Sequence, residues 1–318
     1  MPSNSSTPPT RDDISAAKGM IRSRVRRTPV MDLELDSGVV VTLKLELFQH
    51  TGSFKPRGAF TCVLSQPELP STLVAASGGN HGLAVAHVGQ VFGIPTEIFV
   101  PRTAPRVKVE RLDALGATVH QVGQRYAEAL EASLDLAEAP GALAIHAYDT
   151  VPTLTGQGTV AAELDEQTEA DTVFVAVGGG GLIGGMASWW GSSKGIIAVE
   201  PQSCPAMHHA LEAGRPVPVE PSGVAADSLG ASQIGALGFA AVQAASGESV
   251  LVSDDDIRQA RQWLWRAARI AAEPGGVTAL AALTSGAYVP SDGERITVVV
   301  CGANADPGDL TPTAADQG

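Results

Sequence analysis

Short apolar runs alternate along the chain with longer stretches in which Ala, Val and Leu recur at helical spacing. That alternation predicts an α/β fold built on parallel sheet. Residues 14–25 read as a first helix, broken by Arg27-Thr28-Pro29. Residues 39–45 form a β-rich run, and residues 54–64 are helical, with Pro56 tolerated in the first turn. Strands at 73–76, 96–100 and 117–122 then interleave with helices at 82–92, 106–115 and 126–137. A second alternation places helix at 158–166, a buried strand at 172–177, helix at 182–190 and a strand at 196–199. Ser253 and Asp256 make a capping-box start to a helix over 257–270, and residues 295–300 form a last apolar strand. Residues 1–10 and those after Asp306 are expected to be loose tails.

Composition narrows the class. Hydrophobic residues make up 44% of the chain and charged ones 17%, which suits a well-buried globular protein rather than a disordered one. A length of 318 residues accommodates two domains sharing a cleft. The formal net charge of −13 repels nucleic acid and anionic membranes, so neither is expected as a partner. No run of apolar residues is long enough to span a bilayer, and residues 1–10 lack the basic and apolar regions of a signal peptide. Cys62, Cys204 and Cys301 show neither a disulfide framework nor a zinc-ligand spacing, so a reducing cytoplasm is the expected location and no metal is assigned.

Four clusters at strand-to-loop or loop-to-helix junctions carry candidate chemistry, since ligands of open parallel sheets gather at the carboxyl ends of strands. In Thr51-Gly52-Ser53-Phe54-Lys55-Pro56-Arg57-Gly58-Ala59, a lysine opens a helix. The positive field there, with burial, lowers an amine's pKa and makes it a better nucleophile towards a carbonyl; an ordinary surface lysine is the alternative. In Ser77-Gly78-Gly79-Asn80-His81-Gly82, glycines before a helix let N–H groups close around an anion; a plain turn capped by Asn80 is the alternative. Gly178-Gly179-Gly180-Gly181-Leu182 follows a strand, and four glycines in a row suit close approach of backbone to a phosphate. That run lacks the lysine of a nucleotide-binding P-loop, and only Glu200 offers a dinucleotide-type acidic partner. Val300-Cys301-Gly302-Ala303-Asn304 ends the last strand, where a buried structural cysteine is the plainer reading.

Taken in order, the first three clusters resemble the fold type II pyridoxal phosphate (PLP) enzymes of the serine/threonine dehydratase group, from about residue 14 to 304. The resemblance implies a tryptophan synthase β-like α/β architecture: two parallel-sheet αβα domains with the cofactor in the cleft. Residues 1–67 and 148–318 would form the large PLP-binding domain, and residues 72–142 a small substrate-loop domain inserted in it. It further implies that Lys55 holds the cofactor as a Schiff base, that Phe54 covers the ring and that Asn80 meets the ring hydroxyl. Gly178, Gly179, Gly180, Gly181 and Leu182 would bind the phosphate, Glu273 would line the ring pocket, and Cys301 would face the pyridine nitrogen. Ser77, Gly78, Asn80 and His81 would hold the substrate carboxylate, mostly by backbone donors, with Gln157 and Arg125 also on the substrate side. The implied reaction is β-elimination of L-threonine or L-serine to a 2-oxo acid and ammonia, by a homodimer. A neutral thiol facing the ring nitrogen favours elimination over transamination.

Two departures from relatives sharpen the expectation. The serine racemase branch has a second serine, the opposite-face base, where this chain has Gly78, so dehydration is preferred to racemisation. That branch also binds a divalent ion near a Glu-Pro segment. Here Glu200-Pro201 is followed by Ala206 where a carboxylate ligand is expected, which removes one hard-oxygen ligand. A racemase-type or related lyase acting on another β-hydroxy amino acid, and a non-catalytic PLP-binding protein, remain as alternatives.

Overall fold

The computed structural model describes residues 7–306. In chain order the elements are α1 (Arg11–Ile21), β1 (Val30–Glu34), β2 (Val40–Lys44), α2 (Pro56–Leu64), β3 (Thr72–Ala76), α3 (Asn80–Phe92), β4 (Thr96–Val100), α4 (Arg106–Asp113), β5 (Thr118–Gln121), α5 (Tyr126–Ala137) and β6 (Ala142–Ala144). There follow α6 (Val151–Leu164), β7 (Thr172–Ala176), α7 (Gly181–Trp190), β8 (Gly195–Pro201), α8 (Ala206–Ala213), α9 (Ala226–Leu229), α10 (Ala236–Ala244), β9 (Glu248–Val252), α11 (Asp254–Ala268), α12 (Pro274–Thr284) and β10 (Ile296–Val299).

These strands make two sheets, ordered β1-β2-β10-β7-β8-β9 and β5-β4-β3-β6. Every pairing is parallel except that of β1 with β2. The antiparallel edge departs from the all-parallel expectation. Val30, Met31 and Leu33 lie on the outer rim, where a short hairpin closes the sheet. Strands buried on both faces read as continuous apolar runs, and β7 and β10 are buried throughout. In the smaller sheet the faces alternate: Leu73 and Ala75 pack with α2 and α3, while Val74 and Ala76 pack with α5.

Both sheets reverse direction. The chain steps outwards from β3 to β4 and β5, then returns to lay β6 on the other side of β3. It steps from β7 to β8 and β9, then returns to insert β10 on the other side of β7. Such a reversal opens a crevice at the carboxyl ends of the strands that flank it. Ser77-Gly78-Gly79 follows β3, Gly178-Gly179-Gly180 follows β7 and Cys301 follows β10, so all three segments sit at reversal points.

Some boundaries differ from the expectation. α1 starts three residues earlier because Thr10 Oγ1 accepts from the Asp13 N–H at 3.2 Å while Asp13 accepts from the Thr10 N–H at 2.8 Å. α6 begins at Val151 rather than 158. Its glycines weaken the local helix signal, yet a Cβ on Gly156 would lie 2.4 Å from the Arg57 carbonyl oxygen and one on Gly158 2.7 Å from that of Gly185. The same glycines let α6 nest against α2 and α7. Residues 1–6 and those after 306, where tails were expected, lie outside the described residues, and Thr10 belongs to the α1 cap rather than to a tail. Among the described residues no helix is long and apolar enough to cross a membrane.

A buried ionic cluster ties α2 to the large sheet. Lys44 Nζ donates to Glu163 at 2.5 Å, to the Thr28 carbonyl at 2.9 Å and to Gln167 at 2.7 Å. Arg57 grips Glu46 in a bidentate pair at 2.7 and 2.8 Å and reaches Glu163 at 3.1 Å. Two cations and two carboxylates cancel, and each carboxylate is shared, which is the condition under which buried charge is tolerated. Arg57 stands two residues beyond Lys55, so the cluster anchors the start of α2.

Candidate active site

One cavity of about 680 Å³ opens between the two sheets, within the range that holds a cofactor together with a small substrate. Phe54, Lys55, Ser77, Gly78, Asn80, His81, Arg125, Gly178, Gly179, Gly180, Gly181, Leu182, Glu273 and Cys301 all line it. Gln157 does not. It is buried on α6, with its amide against Gly58, so contact with a substrate in the cavity is blocked by α2.

Several helices begin at this cavity, among them α2 after Lys55, α3 at Asn80, α7 at Gly181 and α12 after Glu273. The first N–H groups of each helix have no intrahelical partner, and their dipole ends favour anions. Lys55 Nζ donates to the Ala147 carbonyl at 2.9 Å and lies 5.0 Å from the centre of the Phe54 ring. Loss of solvation pushes its pKa down to about 8, against the opposing pull of the Glu273 carboxylate. Lys55 is half-buried and lines the cavity.

The glycine run is a cradle that side chains would fill. A Cβ on Gly178 would lie 2.9 Å from Leu229 Cα, one on Gly179 2.2 Å from the Tyr148 ring, and one on Gly181 2.9 Å from Tyr148 Cα. Gly180 has φ of 88°, a conformation that favours glycine. Asn80 donates from Nδ2 to Glu273 Oε1 at 2.6 Å. Burial raises the Glu273 carboxyl to about 7. Burial likewise raises the Cys301 thiol to about 12, so it stays neutral; its Sγ donates to the Gly275 carbonyl at 3.6 Å. His81 donates from Nε2 to the Ile145 carbonyl at 2.8 Å, and burial lowers its pKa to about 3. Its ring is therefore neutral and already engaged, which leaves its main-chain N–H as the group available to an anion.

A lysine with a depressed pKa, a glycine cradle at a helix start, an aromatic Phe54 on the cavity wall and a neutral thiol fit pyridoxal phosphate. Several cavity residues gave no signal in the sequence. Ala147 and Tyr148 follow β6, a strand of three residues. His146 Nδ1 accepts from the Asp149 N–H at 2.9 Å, and Asp149 in turn accepts from the N–H groups of Ala236 and Leu237 at 3.1 and 3.0 Å, which fixes this segment. Lys108 on α4 is ion-paired with Asp227 on α9 at the cavity edge.

Glu200 accepts from the Met207 and His208 N–H groups at 2.7 and 2.8 Å, so both carboxylate oxygens cap α8. Among the described residues no group of three or more His, Cys, Asp or Glu side chains is arranged to hold a metal ion.

Comparison with known proteins agrees with this chemistry. The family described as "Pyridoxal-phosphate dependent enzyme" matches residues 21–302. The L-threonine ammonia-lyase of Thermotoga maritima is 35% identical over 93% of this chain and 76% of its own length. The phenylserine dehydratase of Ralstonia pickettii is 33% identical over 93% of this chain and 94% of its own. Among solved structures, maize serine racemase superposes with a TM-score of 0.88 at 31% identity, covering 95% of both chains.

Proposed function

The chain belongs to the pyridoxal-phosphate dependent enzymes, and from that premise we propose that it catalyses β-elimination of a hydroxy amino acid, L-threonine or L-serine, to a 2-oxo acid and ammonia. The single observation that carries the reading is the company of Lys55. One cavity gathers its amine with the tetraglycine cradle, the Asn80 loop and a neutral Cys301 thiol.

Pyridoxal phosphate, when bound, supplies an aldehyde that links to the substrate amine and a ring that withdraws electrons from the α-carbon. Gly178, Gly179, Gly180, Gly181 and Leu182 hold its phosphate through main-chain N–H groups; Phe54, Asn80, Glu273 and Cys301 surround its ring. Ser77, Gly78, Asn80 and His81 hold the substrate carboxylate at the start of α3, and Arg125 stands at the cavity's edge.

Lys55 takes the α-proton at Nζ. An amine with a pKa near 8 has a substantial neutral fraction at physiological pH and a conjugate acid able to return the proton. The β-hydroxyl then departs as water, taking up the proton that Lys55 has acquired, and hydrolysis of the released enamine gives the 2-oxo acid and ammonia. The Cys301 thiol is neutral; facing the ring nitrogen it would offer no anionic partner, which would favour prompt elimination. Gly78 has no side-chain proton to exchange, so position 78 supplies no second base opposite Lys55.

The test is to supply L-threonine and L-serine and measure 2-oxo acid and ammonia, with Lys55→Ala as the control. Product release from the wild type and none from Lys55→Ala is expected. Full ammonia release by Lys55→Ala, or no release from any β-hydroxy amino acid by the wild type, would refute the proposal. We take residues 72–142 to act as the substrate-loop unit of a cytoplasmic homodimer; light scattering of the purified protein tests the dimer.

A further inference from the structure

Asn304 lies three residues beyond Cys301 and makes contacts that the proposed reaction does not use. Its Nδ2 donates to the Thr51 carbonyl at 2.7 Å and to Asn80 Oδ1 at 2.6 Å. Asn80 Nδ2 in turn donates to Glu273 Oε1 at 2.6 Å. The Asn304 main-chain N–H also donates to Glu273.

The direction of this chain can be followed from its Thr51 end. A main-chain carbonyl only accepts, so the Asn304 amide must turn its NH₂ towards Thr51. The same NH₂ reaches Asn80, so Asn80 must present its oxygen to Asn304 and its own NH₂ to Glu273 and the cavity. An asparagine amide is nearly symmetric in shape, and nothing in its packing distinguishes the two ends. The Thr51 carbonyl makes the distinction from one side, through Asn304, and the Glu273 carboxylate, which accepts from Asn80 Nδ2 at 2.6 Å, makes it from the other.

The surrounding backbone is shaped to bring this about. Thr51 has φ of 60°, an uncommon conformation for a residue with a side chain, and Gly52 follows with φ of 77°. A Cβ on Gly52 would lie 3.0 Å from Asn304 Oδ1. The Ala303 N–H donates to the Gly52 carbonyl at 2.9 Å, and Ser53 bridges Gly302. The lysine loop and the segment after β10 are thus laced together directly beneath Asn80.

We infer that Asn304 is a positioning residue that orients the Asn80 amide with its donor towards the cofactor ring. The inference rests on the reading of Asn80 as a ring-facing residue and adds what holds it there.

The experiment is a double-mutant cycle on cofactor affinity. The full chain is stripped of cofactor and titrated with pyridoxal phosphate, following tryptophan fluorescence, with the thermal midpoint of each stripped protein measured alongside. Asn80→Ala and Asn304→Ala are each expected to weaken binding about tenfold, the effect of one hydrogen bond at a buried site. The double variant should bind no more weakly than Asn80→Ala alone. Asn304→Asp fills the same space on Gly52 but can only accept, which turns the Asn80 amide round; it should weaken binding more than Asn304→Ala does. Unchanged affinity in Asn304→Ala, or an equal further loss when Asn304→Ala is added to Asn80→Ala, overturns the inference while leaving the ring-facing reading of Asn80 intact. Unchanged affinity in Asn80→Ala overturns both.

Discussion

Lys55 Nζ donates to the main-chain carbonyl of Ala147 at 2.9 Å, and that bond sets the lysine apart from its buried neighbour Lys44. Burial lowers the Lys44 pKa as well, but the Glu163 carboxylate at 2.5 Å is a full charge that offsets part of that loss. A carbonyl dipole does so far less. Lys55 therefore keeps a strong share of its desolvation and remains close to the point of losing its proton, while the carbonyl still fixes where Nζ lies.

The pH dependence follows from that depressed pKa. In the cofactor-stripped protein, capture of added pyridoxal phosphate should accelerate with pH and level off near 8, whereas a solvated lysine continues towards 10.5. The fold disfavours the charged amine, so the stability penalty is present below pH 8 and fades between 8 and 10.5. Lys55→Met should stabilise the stripped protein at pH 7 by about 2 kcal/mol, a figure reduced for the solvent that the cavity retains. Rapid-mixing absorbance and thermal melts check both; levelling near pH 10 would contradict the assignment.

Removing Arg57 leaves Glu46 and Glu163 short of a buried partner. Arg57→Met is expected to destabilise the protein by about 3–5 kcal/mol in urea melts. Adding Glu46→Gln should recover part of that loss, because it removes a stranded charge. An unchanged melt in Arg57→Met would show that the cluster contributes little.

The glycine cradle separates two kinds of clash. A Cβ on Gly179 meets the Tyr148 ring, which can swing aside, whereas one on Gly181 meets Tyr148 Cα, which cannot. Gly181→Ala should therefore weaken cofactor binding more than Gly179→Ala. Tyr148→Ala should rescue Gly179→Ala and not Gly181→Ala. Fluorescence titration reads all four proteins, and rescue of both glycine variants would rule out the backbone clash.

Position 78 has room for a side chain. A Cβ there would meet Val100 Cγ1 at 3.4 Å and Lys108 Cδ at 3.8 Å, ordinary contacts. Gly78→Ser should fold with an unchanged thermal midpoint and gain D-serine formation from L-serine, because a hydroxyl then stands beside the cavity. Chiral chromatography of the products decides; D-serine made by the wild type at the rate of the variant would refute the role given to Gly78.

Much of the site was legible in the sequence because its pieces are local. A lysine opening a helix, a Gly-Gly-Asn turn after a strand, four glycines after another and a cysteine ending the last strand each declare themselves within a few residues. The apolar runs of β3, β4, β7 and β10 follow from burial on both faces, which leaves no alternation to obscure them. Tertiary structure decided what those pieces meet. Lys55 and Ala147 are 92 positions apart, Asn80 and Glu273 193, and Asn80 and Asn304 224. No periodicity encodes such pairings; they arise where two sheets reverse direction. The same packing buried Gln157 behind α2 and made glycines that look like helix breakers into the contact surface of α6. Side-chain chemistry was written along the chain, whereas the direction of the Asn80 amide depends on a carbonyl and an asparagine that only the folded backbone brings together.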